Sequence, residues 1–182
     1  TLSIPNSQMP DKQSIQSLRS HIKEEQAALE ASFFEHETPA QLLKKHAQLI
    51  DKLLKKIWLE ASIDRNVALI AVGGYGRGEL FPYSDIDLLI LLPPNHRDEQ
   101  NTKIEQLIGK LWDIGLNVGH SVRTLDECVT EAAQEVTIQT TLLESRLIAG
   151  KMADYKSFVN AINAAIQADL FFAAKFKEQD NR

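Results

Sequence analysis

Residues 71–92 read AVGGYGRGELFPYSDIDLLILL, and the parsing of this stretch decides the fold. Its last seven residues, Ile86–Leu92, are apolar apart from Asp87, the pattern of a strand buried on both faces. Val67–Val72 (VALIAV) is a second run of the same kind just upstream. Between the two lie Gly73, Gly74, Gly76 and Gly78, a short helical turn, and then Asp85 and Asp87. Side chains two apart on a strand share a face. Asp85 and Asp87 therefore project together, while Ile86 and Leu88 enter the core.

Two carboxylates about 6 Å apart repel by roughly 0.7 kcal/mol in water and about 3 kcal/mol at an effective dielectric of 20. Cations between them remove that penalty, and oxygen ligands on a rigid strand suit Mg²⁺. The glycines serve a different need. Backbone N–H groups hold a phosphate chain only where the main chain turns sharply and approaches closely, which favours residues without Cβ. Gly73 and Gly74 follow a strand and open a turn, so they are the candidates for binding a triphosphate. Arg77 is the one strong cation in the segment, placed to contact a phosphate or pair with Glu79; Ser84 is placed to hold a phosphate or cap the strand. From Gly73 to Asp87 the net charge is −2, so a bare triphosphate is repelled and metal has to mediate. The chemistry expected is displacement at phosphorus with two Mg²⁺ ions held by Asp85 and Asp87. The glycine spacing does not match G-x-G-x-x-G, and no G-K-[S/T] occurs, so neither a dinucleotide fold nor a P-loop is indicated.

Outward from this centre the chain is mostly helical. Residues 1–11 read as a flexible lead-in. Residues 12–64 form an N-terminal helical region, with a sparse helix over Lys12–Phe34. A stronger helix is capped by Thr38 with Pro39 first, and Leu42, Leu53, Leu54 and Ile57 mark its apolar face. The core spans 65–135. After Pro93-Pro94, a helix over Asp98–Ile114 points Ile104, Leu107, Ile108, Leu111 and Trp112 inward and stops at Gly115. Leu116–Arg123 is a third strand, and Thr124 with Glu127 makes a capping box. Residues 136–182 read as a C-terminal helical region broken at Gly150. Its Phe171, Phe172 and Phe176 either close this domain's core or pack against another domain. The fold class is α+β, a small sheet with N-terminal helices and a C-terminal helical tail.

The totals agree. A chain of 182 residues suits one domain with a helical appendage. A formal charge of −5 gives no basic footprint, so nucleic acid is not an expected partner. No apolar run reaches the roughly 20 residues of a membrane helix. With no basic-then-apolar start, a cytoplasmic location is expected. Cys128 is the only cysteine, which excludes an internal disulfide and a multi-thiolate zinc site.

The string G-G-Y-G-R-G-E-L-F-P-Y-S-D-I-D-L-L at Gly73–Leu89 resembles the signature of the nucleotidyltransferase superfamily that includes DNA polymerase beta. Within it, the chain is most similar to the bacterial uridylyltransferase/uridylyl-removing enzymes that modify the nitrogen signal protein PII. The blocks L-W-D-I-G-L-N-V-G-H-S-V-R-T-L-D-E-C at Leu111–Cys128 and L-L-E-S-R-L-I-A-G at Leu142–Gly150 carry that closer likeness, which runs from about Leu42 to the end. The resemblance implies a small mixed sheet flanked by helices. It also implies transfer of UMP from UTP to a tyrosine hydroxyl of PII with release of pyrophosphate. Gly73 and Gly74 would bind the triphosphate, and Asp85 and Asp87 would hold the metals. The rival readings are another nucleotidyl transfer, such as adenylyl transfer to a protein or small molecule, and a catalytically silent nucleotide-binding module.

Many superfamily members place a third carboxylate on the strand after the intervening helix. Here Asn117 and Gly119 stand where one is sought, and His120 offers itself as a base or a structural histidine. Full-length enzymes of the family add a metal-dependent phosphohydrolase domain and glutamine-sensing domains. No His-Asp pair occurs: the five histidines are followed by Ile22, Glu37, Ala47, Arg97 and Ser121. The chain thus reads as the transferase domain alone, without UMP removal or glutamine control.

Overall fold

The computed structural model describes residues 12–35 and 38–180; the lead-in expected over 1–11 lies outside them. Two long helices come first, α1 (Lys12–Glu35) and α2 (Pro39–Glu60). Strand β1 (Ala68–Ala71), the single turn α3 (Gly73–Gly76) and strand β2 (Ile86–Leu92) follow. Then come α4 (Asp98–Ile114), β3 (Val118–Thr124), α5 (Leu125–Gln134), α6 (Val136–Leu143), β4 (Arg146–Ala149) and α7 (Met152–Asp180). The four strands make one mixed sheet in the order β3-β2-β1-β4. β1 runs antiparallel to β2 and β4, while β2 and β3 are parallel, joined by the α4 crossover.

Helices cover both faces, which is why β1 and β2 read as continuous apolar runs. On one face Leu69, Ile86, Leu88 and Ile90 pack with Ile50, Leu54 and Ile57 of α2 and Ile104, Ile108 and Leu111 of α4. On the other, Ala68, Ile70, Leu89 and Leu91 pack with Cys128 and Ala132 of α5, Leu142 of α6 and Phe158 and Ile162 of α7. Local signals set the helix ends. Thr38 Oγ1 accepts from Gln41 N while Gln41 Oε1 accepts from Thr38 N, and Thr124 and Glu127 repeat that box at α5. Gly115 ends α4 in the left-handed region at φ +100°.

Two expectations are corrected and one open alternative is decided. The stretch after α6 is not helical throughout: Arg146–Ala149 is a fourth strand, paired with the free edge of β1. Four residues are too few to show a period, and what makes them a strand is the edge they cover. Trp112 does not point inward; it is 54% exposed, because Leu111, one helical step away, takes the core position. Its ring lies against His120 and its Nε1 donates to the Val118 carbonyl at 3.1 Å. Phe171, Phe172 and Phe176 do not close this core either, being 59–65% exposed on the far half of α7.

One buried polar contact ties α1, α2 and the loop beyond the glycines together. His46 is buried on α2, and its Nδ1–H donates to the Leu80 carbonyl at 3.0 Å, leaving Nε2 to accept from Gln26 of α1 at 3.0 Å. Burial lowers its pKa below the ordinary 6.5, outweighing the Leu80 hydrogen bond and the Glu30 charge. The unfolded chain therefore takes up a proton that the folded chain resists, and this contribution to stability is lost as pH falls through and below 6.5. Thermal midpoints measured from pH 7.5 down to 5.5 should fall in the wild type and fall less steeply in His46→Gln.

Candidate active site

The site is assembled where β1 ends and β2 begins. Val72 N–H donates to the Asp87 carbonyl at 3.1 Å, extending the β1–β2 ladder to the point where the chain turns away. Gly73 makes that turn at φ +62°, a conformation that side chains with a Cβ rarely adopt. Its lack of a Cβ matters twice, since a Cβ there would stand 3.3 Å from Asp87 Oδ2. On the opposite side Gly119 of β3 pairs with Asp87, and a Cβ there would stand 3.0 Å from Asp87 Oδ1. The Asp87 carboxylate is thus held between two bare stretches of backbone.

Asp85 and Asp87 share the face that carries Leu89 and Leu91. Burial first, and the Asp85 charge second, push the Asp87 carboxyl above the usual carboxylate range. Two like-charged hard oxygen donors, Asp85 exposed and Asp87 half-buried with glycine clearance on both its flanks, fit a divalent cation. Among the described residues no group of three or more His, Cys, Asp or Glu comes together, so phosphate and water oxygens would have to complete the shell. Gly119 has no side chain to offer. Asn117 donates through Nδ2 to the Tyr83 carbonyl at 3.5 Å. His120 is on the opposite face of β3, against Trp112, so it is not a base for this site.

Arg77 lies beside the glycine turn: a Cβ at Gly74 would stand 3.4 Å from its Nη2. It pairs with Glu79 at 3.7 Å, and more closely with Glu144 through Nη1. Ser84 lines a separate recess with Arg19, Lys23 and His46.

The residues that hold the turn in place went unread in the sequence. Tyr75, buried inside α3, donates its hydroxyl to Asp51 Oδ1 at 2.5 Å. Arg146 of β4 grips the same Asp51 with two nitrogens, at 2.5 and 3.1 Å, and donates to the Tyr75 carbonyl at 3.0 Å. Its guanidinium also lies 5.2 Å from the centre of the Tyr75 ring. Asp51 and Arg146 are 95 residues apart, and nothing in the spacing links them. A heavier hint was Gly76: a Cβ there would fall 1.7 Å from the Glu144 carbonyl oxygen and 2.9 Å from that of Ala71.

Beyond Asp87 along the same face the sheet opens into a cavity of about 460 Å³, within the size range of small-ligand sites. Val72, Leu89 and Ser121 form its floor, and Ile138 and Thr141 of α6 its wall. Cys128 also borders it, but burial pushes the thiol up to about 11, which makes it a poor nucleophile.

A four-stranded mixed sheet with a glycine turn and paired aspartates at its centre defines a nucleotidyl-transferring enzyme. The nucleotidyltransferase domain model matches residues 48–146, and the chain belongs to that family. It is 47% identical over 148 residues to a protein of Chromobacterium violaceum named bifunctional uridylyltransferase/uridylyl-removing enzyme, covering 81% of this chain and 17% of that one. A protein of the same name from Burkholderia thailandensis is 42% identical over 166 residues, covering 91% of this chain and 19% of its own length. The chain thus spans less than a fifth of the length of these relatives. Among solved structures, a toxin–antitoxin with AMP-PNP is 14% identical at a TM-score of 0.45, over 70% of this chain and 98% of that one, too distant to bear on the site.

Three outcomes test this geometry. Gly76→Ala should destabilise the fold by about 3 kcal/mol or more, because backbone atoms on two sides cannot yield. Gly109→Ala, in open space on α4, should be neutral or stabilising by up to about 1 kcal/mol in the same urea titration. Asp87→Asn removes a charge that burial and Asp85 both oppose, so its thermal midpoint at pH 7 should equal or exceed that of the wild type.

Proposed function

We propose that this chain transfers UMP from UTP to a tyrosine hydroxyl of the signal protein PII, releasing pyrophosphate, in the cytoplasm. The observation that carries the reading is the convergence of Asp85 and Asp87 with the Gly73–Gly74 turn at one end of the sheet. The names of the long relatives support uridylyl as the group transferred. No helix among the described residues is long and apolar enough to cross a membrane, in keeping with a cytoplasmic setting.

The backbone N–H groups of the Gly73–Gly74 turn receive the triphosphate, whose approach Gly73 and Gly74 leave unhindered. Arg77 exchanges its Glu144 partner for a phosphate oxygen, keeping the cation at the turn while its neighbours compete for it. The nucleoside lies in the cavity beyond Asp87, over the apolar Val72, Leu89 and Ile138, with Ser121 and Thr141 as polar contacts and Arg123, Glu131 and Glu135 also on the lining. The acceptor oxygen bonds to the α-phosphorus, and the bond from that phosphorus to the bridging oxygen breaks, so that pyrophosphate leaves. Asp85 and Asp87 would hold Mg²⁺, two ions in the complete complex, which supply Lewis-acid charge to the phosphates and to the incoming hydroxyl. Asp87, whose carboxyl is pushed upward by burial and by the Asp85 charge, is the group assigned to take the hydroxyl's proton. A third carboxylate is not needed if these two serve both ends.

The missing third acid also keeps a second reading open, a module that binds UTP without turning it over. Transfer of label from each of the four ribonucleoside triphosphates to PII, with Mg²⁺, separates the two. UMP transfer that drops by about 10³-fold in Asp87→Asn is the expected result. Mg²⁺-dependent UTP binding with no transfer supports the silent module. Transfer that survives Asp87→Asn overturns the mechanism.

A further inference from the structure

Strand β3 leads away from the carboxylates along the floor of the cavity. Its residues Gly119, Ser121 and Arg123 are paired with Asp87, Leu89 and Leu91 and share their face of the sheet. Gly119 leaves room beside the Asp87 carboxylate, and Ser121 and Arg123 both line the cavity beyond it. Four residues of strand carry Arg123 about 13 Å past Gly119. That distance is comparable with the reach of a nucleotide from its α-phosphorus to the far edge of its base.

At this far position the cavity lining holds a fixed donor beside a fixed acceptor. Arg123 Nε donates to Glu131 Oε1 at 2.8 Å, and its Nη1 donates to the Val122 carbonyl at 2.9 Å. The two bonds hold the guanidinium, and its Nη2 makes none among the described residues. The pairing is set locally. Arg123 directly precedes the Thr124 cap of α5, and Glu131 follows Cys128 by three residues, on the helix face that the buried Cys128 fixes to the sheet. Glu131 lines the cavity as well. The two side chains are 37% and 40% exposed, so the ion pair adds little to stability.

We propose that Arg123 and Glu131 read the base of the nucleotide and select uracil over cytosine. The proposal rests on placing the nucleoside of UTP in this cavity. A guanidinium only donates, and a carboxylate only accepts. The Watson–Crick edge of uracil sets an accepting O4 next to a donating N3–H, the complement of that pair. Cytosine has the same size and outline, with a donating amino group in place of O4 and an accepting N3. It would set donor against donor and lone pair against carboxylate, leaving the polar groups of the site unpaired. Cavity volume cannot make this distinction, and the apolar Val72, Leu89 and Ile138 are indifferent to it. The hydroxyls of Ser121 and Thr141 both donate and accept, so they fit either base. Among the described residues of the lining, Arg123 and Glu131 alone join a pure donor to a pure acceptor.

The test compares wild type, Arg123→Gln, Glu131→Gln, the double variant and Arg123→Lys. Three quantities are read: thermal midpoint, Kd for UTP and for CTP with Mg²⁺ by calorimetry, and transfer from each to PII. Triphosphate and metal contacts are common to the two nucleotides, so the ratio of their Kd values isolates the base. The wild type should bind UTP at least about tenfold more tightly than CTP. Glutamine can donate and accept, so each single change should cut that ratio by about threefold or more, and the double variant should bring it near unity. Thermal midpoints should stay close to wild type throughout. Arg123→Lys keeps a pure donor and should retain the preference for UTP. Equal binding of UTP and CTP by the wild type overturns the base contact, as does a ratio that falls only together with the thermal midpoint. A wild-type preference that the glutamine variants leave unchanged also overturns it, while the uridylyl reading stands. If nothing is transferred to PII but the ratios behave as expected, the transferase reading fails and the base contact holds. A wild type that does not bind UTP ends both.

Discussion

The register of β2 against its two neighbours is the constraint on which the rest depends, because side-chain direction alternates strictly along a strand. With Leu89 paired to Ile70 and Asp87 to Gly119, the even-numbered residues from Ile86 to Leu92 enter one core and Leu89 and Leu91 enter the other. A slip of one residue would turn Asp85 and Asp87 toward α2 and α4 and force Ile86, Leu88, Ile90 and Leu92 into the other core, which is built around different side chains. Both cores therefore oppose the slip. The stability of the whole domain is thereby applied to the aim of two carboxylates, and their mutual repulsion is small beside the apolar burial that holds them together.

Register alone leaves the glycine turn unsupported. A single helical turn of four residues has too few internal bonds to hold its shape. The turn is instead gripped from outside by Tyr75, Asp51 and Arg146, which join α3 to α2 and β4, and by the backbone at Glu144 pressed against Gly76. Glycine at Gly76 thus has a packing origin, and glycine at Gly73 a conformational one. Arg146 is only half-shielded, so the ion pair with Asp51 is stabilised more by its fixed bidentate geometry and the added Tyr75 bonds than by charge alone.

Most of this fold was legible because its elements follow single local rules. β2 and α4 fall where the apolar run and the periodic face put them, and the cap at Thr38 and the capping box at Thr124 are both present. The paired aspartates were legible for the same reason, being a two-residue spacing on one strand. What escaped was set by partners distant in the chain. β4 is a strand because β1 has a free edge, and Trp112 turns outward because Leu111 fills the core. Asp51, Tyr75 and Arg146 form a cluster that no local pattern announces. His120, attractive as chemistry, is excluded by the alternation that places Gly119 and Ser121 on the other face.

The position of β4 has a consequence for how the protein comes into being. β1 is paired on one side by a strand that follows it closely, and on the other by one that arrives only with Arg146–Ala149. At ordinary synthesis rates the roughly 75 residues from Ala71 to Arg146 take about 4–15 s to emerge. Through that interval β1 presents an apolar, unpaired edge, the kind of surface on which nascent chains pair with one another. Gly150 then closes the interval abruptly. Its backbone, at φ +115°, passes so near Ala68 that a Cβ would stand 2.8 Å from the Ala68 Cα. The same late strand carries Arg146, so protection of the edge and completion of the grip on the glycine turn arrive together, and a nascent chain lacks that grip while its sheet is still open.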